Sequence, residues 1–502
     1  MNRVWSVALI LPAALVASYA WSGRAAPASG PRKGDRPGLS AASPPSAAKK
    51  ASARAVVPAP DAINYIAVGG GATPEYTEVS LEQDIQLALQ VLHGPGTVLF
   101  AGGRDSASVR TVPAQAAAPS LLQRLGELFD PRGDRDSRYR RTELDALAAS
   151  NENFEKTFTQ ALRSGKTPLL VYVASHGLQG EHARDNHIEL WGGEPLAVKQ
   201  LDALQASATR PVRFVIASCY AGGFAELAFH NADPSQGPAR VPRCGLFAGT
   251  WDRQTSGCDP NPDRRVQEGY SMHVLHALRG QDRAGNPIPL EQLDLDHDGA
   301  VSLLEAHTRA RIVSHSIDVP TTTSERYLRE VEHRQMTPNL KLLPEEAAVV
   351  RQLGARLGLL SKAAAEKRYR SLGVRLDRID AELNAADAEL SRAQGRLAAL
   401  LLARWPVLND PYHDQFADTL KQSAAEIAAL LDKSSEAKRY ASASEHVEEI
   451  SARASELDPE EAEALRLVRA YETLSLATSL TARGGAALQY YRALLACERS
   501  VL

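Results

Sequence analysis

The sequence predicts an α/β protein with a mostly parallel central sheet, followed by an all-α helical region. Between residues 61 and 343, short apolar runs bounded by Pro and Gly alternate with segments of helical periodicity. From residue 344 to 502, Gly and Pro become rare and Ala, Leu, Glu and Arg dominate, as in a helical hairpin or bundle. The 502 residues, 44% of them hydrophobic, are enough for two or three domains with their own cores.

The first 21 residues have the pattern of an export signal. Arg3 precedes an apolar run over residues 4–20, and small residues at Ser18 and Ala20 provide a cleavage site. The alternative is an uncleaved anchor, although a membrane span needs about 20 apolar residues. Residues 22–60 are rich in Ala, Pro, Ser and basic side chains, which predicts a disordered linker. We therefore expect an exported protein, periplasmic or secreted, attached to the membrane only if the first segment stays uncleaved.

Charge and aromatic content argue against a nucleic-acid partner. The chain carries 57 basic and 60 acidic residues, for a net charge of −3, and only 6% of its residues are aromatic. Nucleic-acid binding needs basic surfaces and often stacking platforms. The glycine turn after the first predicted strand also lacks the Gly-Lys-Ser/Thr ending of a phosphate loop, so we expect no organic cofactor.

The α/β part begins with a strand in residues 62–71, followed by a helix for which Ser80 and Gln83 fit a capping box. A second strand lies in "TVLFAGG", and residues 105–141 form a long insertion with little pattern. Further helices are predicted around residues 152–163, 196–205 and 265–278, and "GLFAGT" predicts a late strand. This alternation is typical of right-handed crossovers between parallel strands.

Two buried strands end in reactive residues. Residues 169–174 lead to His176 and Gly177, and residues 212–217 lead to Cys219. Short β-branched runs of this kind suit the centre of a parallel sheet, and sites form at the carboxyl ends of such strands. If the two strands are neighbours, the imidazole and the thiol emerge at the same rim. Together they are the minimum for nucleophilic acyl transfer.

The chain has four cysteines. In an exported protein Cys244 and Cys258 could form a disulfide across a short loop. Cys497 would then be unpaired and would pack as a small hydrophobic residue on a helix. Cys219 is expected to stay a thiol.

Residues 294–305, "DLDHDGAVSLLE", match an EF-hand-type calcium loop. Calcium takes six to eight oxygen ligands, and this loop spaces them so that a tight turn can wrap the ion. One Ca²⁺ site is predicted, structural or activating. Its ligands are carboxylates at the first, third, fifth and twelfth places, a backbone carbonyl and a hydroxyl, in the order Asp294, Asp296, Asp298, Ala300, Ser302 and Glu305.

The helical region has a coiled-coil seam of apolar residues in four-three alternation: Leu372, Leu376, Ile379, Leu383, Ala386, Leu390, Ala393, Leu397 and Leu400. Pro406 and Pro411 bound a break, and helices follow over residues 413–433 and 435–457. Another helix should begin at Asp458-Pro459, and a last one after Gly484-Gly485. The seam is either an internal core or a surface for a partner or for self-association.

The segments "LLVYVASHGLQG" and "VRFVIASCYAGGF", in this order, resemble the His and Cys blocks of the caspase/legumain-like cysteine peptidases. "HIELWGGEPLAVKQLDAL" and "FAGTWDRQTSGC" are similar to the connecting hairpin and to the pocket wall of that family. The likeness covers residues 62–280. It implies a caspase-like three-layer sandwich and hydrolysis of peptide bonds in a protein or peptide substrate. Cys219 would be the nucleophile, His176 the proton-transfer partner, and the Gly177 and Cys219 N–H groups would face the oxyanion.

The sequence departs from the family where substrate selectivity is set. The resemblance implies an Arg in the loop after the first strand for Asn- or Asp-specific members, but "GGGATPEYTEVS" contains none. Glu75, Glu78 and Asp252 are the candidate pocket residues instead, and they would favour Arg or Lys by charge. Two alternative functions remain at this point. One is a catalytically silent scaffold that acts through its helices, and the other is a transpeptidase or ligase with the same dyad.

Overall fold

The computed structural model describes residues 63–113, 118–131, 136–165 and 167–502. The predicted signal segment and linker, residues 1–21 and 22–60, lie outside these ranges. Among the described residues, no helix combines the length and apolar character needed to cross a membrane.

Eleven strands are found in the described residues. They are β1 (Tyr65–Gly70), β2 (Gly96–Phe100), β3 (Val109–Thr111), β4 (Arg138–Arg140), β5 (Leu169–Ser175), β6 (Gly177–Leu178), β7 (His187–Glu189), β8 (Pro195–Ala197), β9 (Val212–Ala217), β10 (Cys244–Phe247) and β11 (Thr321–Thr322). The central sheet has the order β11-β10-β9-β5-β1-β2 and is parallel except at β11. The predicted mostly parallel sheet is thus confirmed. β3–β4 and β6–β7–β8 form two small antiparallel sheets.

The helices follow in chain order. They are α1 (Val79–Ala88), α2 (Leu121–Phe129), α3 (Asn151–Arg163), α4 (Val198–Gln205), α5 (Tyr270–Leu278), α6 (Leu303–Val313), α7 (Thr323–Val331), α8 (Pro344–Ala348), α9 (Gly354–Leu357), α10 (Lys362–Arg404), α11 (Phe416–Lys433), α12 (Ser435–Arg483) and α13 (Gly485–Glu498). A π-helical turn, Val349–Leu353, joins α8 to α9. Helices cover both faces of the sheet.

Side chains of the central strands alternate between two hydrophobic cores, because successive residues of a strand point to opposite faces. Leu170 and Tyr172 of β5 join one core with residues of α1, α5 and α6. Val171 and Val173 join the other with residues of α3 and α4. β5 is buried at all seven positions, which explains why its sequence is a continuous apolar run.

The structure corrects two local predictions. α1 begins at Val79, and Ser80 does not cap it; its hydroxyl instead accepts a hydrogen bond from the Asp259 N–H at 2.8 Å. The insertion at residues 105–141 is also more ordered than its pattern suggests. It contains β3, β4 and the amphipathic helix α2, which packs Leu125 and Leu128 against α10.

α10 and α12 are long helices that run antiparallel and bury the predicted seam between them. Leu372 and Leu376 of α10 share a core with Leu457 of α12, and Arg453 of α12 pairs with Glu382 of α10. The predicted break at Asp458-Pro459 is wrong, because α12 continues through that proline. The seam is therefore used for packing within the chain.

The end of the chain packs onto the α/β part. The Arg466 side chain of α12 is buried and donates hydrogen bonds to backbone carbonyls at 311, 314, 316 and 318. A disulfide joins Cys244 of β10 to Cys497 of α13, with their Cα atoms 6.0 Å apart. The predicted Cys244–Cys258 pair is thus wrong, and so is the unpaired Cys497. α13 lies beside β10, whereas the loop that carries Cys258 runs to the opposite end of the strand.

Candidate active site

The register of two neighbouring strands brings the predicted dyad to one rim. β5 and β9 pair in parallel with Ala174 opposite Ala217, so His176 and Cys219 both lie two residues beyond the same rung. The two segments come very close here, since a Cβ on Gly177 would lie 2.2 Å from the Cys219 carbonyl oxygen. Only glycine allows this approach.

The turn after Cys219 is held by several hydrogen bonds. Tyr220 adopts a left-handed backbone conformation, with φ 59° and ψ 15°, which is strained for an aromatic residue. The buried Asn186 donates to the Tyr220 carbonyl at 2.9 Å and to the Trp251 carbonyl at 2.7 Å. Its side-chain oxygen accepts from the Gly180 N–H at 2.9 Å. Asn186 thus ties together the loops after β6, β9 and β10, a role that its sequence context did not indicate.

Glu78 orients the imidazole. His176 Nε2 lies 2.9 Å from Glu78 Oε2, and Arg110 donates to Glu78 Oε1 at 2.7 Å. The Glu78 side chain is only 4% exposed. Burial raises the pKa of Glu78, but the hydrogen bond and charge of His176 and the charge of Arg110 outweigh it, so the pKa is lowered overall. The carboxylate is therefore ionised and fixes the ring of His176.

Cys258 occupies the other side of the same ring. Its Sγ lies 3.8 Å from His176 Nδ1. Burial by itself would lower the pKa of His176, but the neighbouring Cys258 and the hydrogen bond and charge of Glu78 raise it well above its ordinary value. The sequence drew attention to Cys258 only as a disulfide candidate. Its contact with the dyad depends on the path of a loop, which no local pattern reports.

Cys219 is a half-buried thiol beside the same loop. Its Sγ accepts a hydrogen bond from the Thr255 N–H at 3.3 Å. Burial raises the pKa of Cys219, and the neighbouring Cys258 raises it further, while Thr255 and His176 offset part of the effect. The resting side chain is therefore the protonated thiol, which needs a base to become a nucleophile.

The loop over residues 250–262 covers the dyad and is anchored on three sides. Ser256 donates from its backbone N–H to the buried Asp318 at 2.7 Å. Asp259 and Ser80 exchange hydrogen bonds, as described for α1. Arg253 forms an ion pair of 2.6 Å with the buried Glu461 of α12. The helical tail thereby supports the loop that carries Thr255 and Cys258.

The three candidate pocket residues do not line a common cavity. Glu75 is exposed, and Glu78 is bound to His176 and Arg110. Asp252 accepts from the Thr250 hydroxyl at 2.7 Å and lines a cavity of about 660 Å³, whose wall includes neither His176 nor Cys219. Acidic and basic side chains share this cavity, which is lined in part by His182, Arg184, Gly222, Glu226, Trp251, Asp252 and Arg326.

The acidic loop forms a compact oxygen cluster ahead of α6. One carboxylate oxygen from each of Asp294, Asp296 and Glu305 lies within 4.8 Å of the other two. Glu305 also makes a capping box with Ser302, which fixes its side chain at the start of α6. The loop turns at Gly299, with φ 92°. Beyond the cluster of three, the exposed Asp298 carboxylate accepts from the Ala300 N–H at 2.9 Å. These donors fit a hard cation.

No protein-family model, no curated protein and no solved structure matches this chain. The functional argument therefore depends on the chemistry of the rim itself.

Proposed function

We propose that the protein is a cysteine endopeptidase of the caspase/legumain-like type, with Cys219 as nucleophile and His176 as its proton-transfer partner. The observation that carries this proposal is the register of β5 and β9, which delivers both residues to one carboxyl-terminal rim. The helices on both faces of the sheet are compatible with the three-layer sandwich of that family.

The chemistry follows from the state of each group. Because the pKa of His176 is raised well above its ordinary value, the imidazole first loses its own proton to solvent. The neutral ring then accepts the Cys219 proton, and the thiolate attacks the carbonyl carbon of the scissile peptide bond, forming a C–S bond. The imidazolium then gives its proton to the leaving amine as the C–N bond breaks. Water hydrolyses the resulting thioester and restores the thiol. Glu78 is a positioning residue, since its carboxylate holds the ring and stabilises the imidazolium.

The oxyanion of the tetrahedral intermediate would form where the two strand ends meet. Backbone N–H groups of Gly177 and Cys219 are the proposed donors, and preset donors of this kind are a large term in acyl transfer. The glycine is required at this position because any side chain would collide with the Cys219 carbonyl. The strained turn at Tyr220 fits a nucleophile that is held in one orientation.

Two further parts of the proposal concern calcium and location. Asp294, Asp296, Asp298, Ala300, Ser302 and Glu305 would hold one Ca²⁺ and stiffen the segment before α6. The Cys244–Cys497 disulfide supports an exported setting, because such bonds persist in oxidising compartments. The proposed preference for Arg or Lys now depends on Asp252 and Glu75, since Glu78 is already paired.

The test is hydrolysis of a positional-scanning peptide library by the purified full chain, with Cys219→Ala and His176→Ala alongside. His446→Ala is the matched control, because His446 is exposed on α12 and far along the chain from the rim. We expect turnover in the wild type and the control, and none in the two dyad variants. Turnover that survives in Cys219→Ala would refute the proposal.

Product analysis separates the alternatives. A peptide product coupled to an added amine would identify acyl transfer, and a hydrolysed product identifies the peptidase. A folded wild-type chain that neither cleaves any library member nor forms a covalent thioester would favour the scaffold. A library that is cut no better after Arg or Lys than after Asn or Asp would refute the proposed preference.

A further inference from the structure

The peptidase chemistry leaves one reactive group at the rim without a role. Cys258 is a second thiol, and its sulfur lies 3.8 Å from His176 Nδ1. One ligand atom from each of Glu78, His176 and Cys258 lies within 4.8 Å of the other two. A carboxylate, an imidazole and a thiol gathered at this distance are the ligand types that zinc takes from proteins.

The spacing of sulfur and nitrogen suits a shared metal. In a tetrahedral zinc site, Zn–S bonds of about 2.3 Å and Zn–N bonds of about 2.0–2.1 Å place the two ligand atoms about 3.6 Å apart. The distance from Cys258 Sγ to His176 Nδ1 is 3.8 Å. An ion could bridge the two with a movement of a few tenths of an ångström by either side chain.

Glu78 completes the arrangement as an outer partner. Its Oε2 lies 2.9 Å from His176 Nε2. In the neutral tautomer with the proton on Nε2, this carboxylate accepts that proton and the lone pair of Nδ1 is directed toward Cys258. Metal-bound histidines almost always donate their second ring N–H to such a carboxylate. Arg110 holds the carboxylate in turn, at 2.7 Å from Oε1.

Solvent would complete the coordination shell of such an ion, because the His176 and Cys258 side chains are both partly exposed.

We propose that His176 Nδ1 and Cys258 Sγ, backed by Glu78, bind Zn²⁺ or another thiophilic divalent cation. Binding replaces the thiol proton of Cys258, which passes to solvent, and forms one metal–sulfur bond and one metal–nitrogen bond. An ion at this place occupies the imidazole that must accept the Cys219 proton. The ion would therefore act as a reversible inhibitor of the peptidase, an inference that rests on the proposed function.

Metal binding is measured directly, without turnover. Co²⁺ is titrated into the full chain with Ca²⁺ in excess, and near-ultraviolet absorption reports thiolate–cobalt bonds; Zn²⁺ then displaces the cobalt. We expect one equivalent in the wild type. Cys258→Ser should weaken binding by roughly 100-fold or more, and Glu78→Gln by roughly 10- to 100-fold. Glu305→Gln, which alters the acidic loop, is the matched control and should bind cobalt like the wild type.

Two outcomes would overturn the site. One is the absence of a thiolate–cobalt band, and the other is equal affinity in Cys258→Ser and the wild type. If the variant misfolds, the site is tested in the wild type without any substitution. Bound Zn²⁺ should then protect Cys258 from an alkylating reagent, and unchanged alkylation would overturn the site. Since none of these readouts uses a peptide, an inactive peptidase would leave the metal result intact.

Inhibition of the peptidase by Zn²⁺ is tested in a separate experiment. Zn²⁺ should inhibit the wild-type enzyme, and Cys258→Ser should need roughly 100-fold more Zn²⁺ for the same fractional loss of its own activity. Equal sensitivity of the two proteins would show that Cys258 does not hold the inhibitory ion.

Discussion

The disulfide between Cys244 and Cys497 gives the sharpest test of how the tail is attached. It joins β10 to α13 across a sequence separation of 253 residues. The perturbation is the double variant Cys244→Ala/Cys497→Ala, which removes the crosslink. Alanine suits the site because Cys244 is fully buried in β10 and a polar replacement would lose hydrogen bonds to water.

The magnitude follows from loop closure in the unfolded chain. For 253 residues the chain-entropy relation gives about 5.5 kcal/mol at 25 °C. Measured values are usually about 2–4 kcal/mol, because the unfolded state keeps some structure. We therefore expect the double variant to lose between about 2 and 5 kcal/mol of unfolding free energy.

The assay is guanidinium chloride unfolding of the oxidised wild type, the reduced wild type and the double variant. Reduction should lower the midpoint of the wild type and leave the double variant unchanged, because its remaining cysteines, Cys219 and Cys258, are thiols. The reasoning is refuted if the oxidised wild type and the double variant unfold at the same denaturant concentration, or if peptide mapping finds Cys244 joined to Cys258.

Three more predictions follow from the site. Glu78→Gln removes a negative charge that raises the pKa of His176, so burial should lower that pKa. The acidic limb of the plot of kcat/KM against pH then moves to lower pH, and the maximum value of kcat/KM falls about 100-fold. Gly177→Ala should also cost about 100-fold in kcat/KM, because its Cβ meets the Cys219 carbonyl at 2.2 Å. Ca²⁺ at 100 times its Kd should add about 2.7 kcal/mol of stability to the wild type, measured by thermal unfolding, and none to Glu305→Gln.

Each of these three predictions has its own control. The sign of the first prediction rests on a neutral His176 as base, so a limb that moves to higher pH would contradict it. Gly395→Ala in α10 is the matched glycine variant, since its Cβ meets nothing within 4 Å; it should stabilise the helix by about 1 kcal/mol with full activity. Mg²⁺ in place of Ca²⁺ should raise the unfolding temperature of the wild type by less, and an equal rise would contradict a calcium-selective loop.

Much of the scaffold was determined by local sequence. The apolar run of β9 was predicted with the bounds that the structure gives, and α3 within one residue. Buried parallel strands and amphipathic helices leave a period in the sequence, so both could be found without knowing their neighbours. The placement of His176 and Cys219 on one rim required only that β5 and β9 be adjacent.

Only the tertiary structure decided which groups meet those two residues. Glu78 was predicted for a substrate pocket and instead holds His176, while Cys258 was predicted for a disulfide and instead faces the same imidazole. Cys497, far along the chain, pairs with Cys244. Such contacts depend on loop paths and on how the tail returns to the sheet, and these are set by the sum of many packing terms. Spacing along the chain records the period of each element, but it carries no record of which distant element lies beside it.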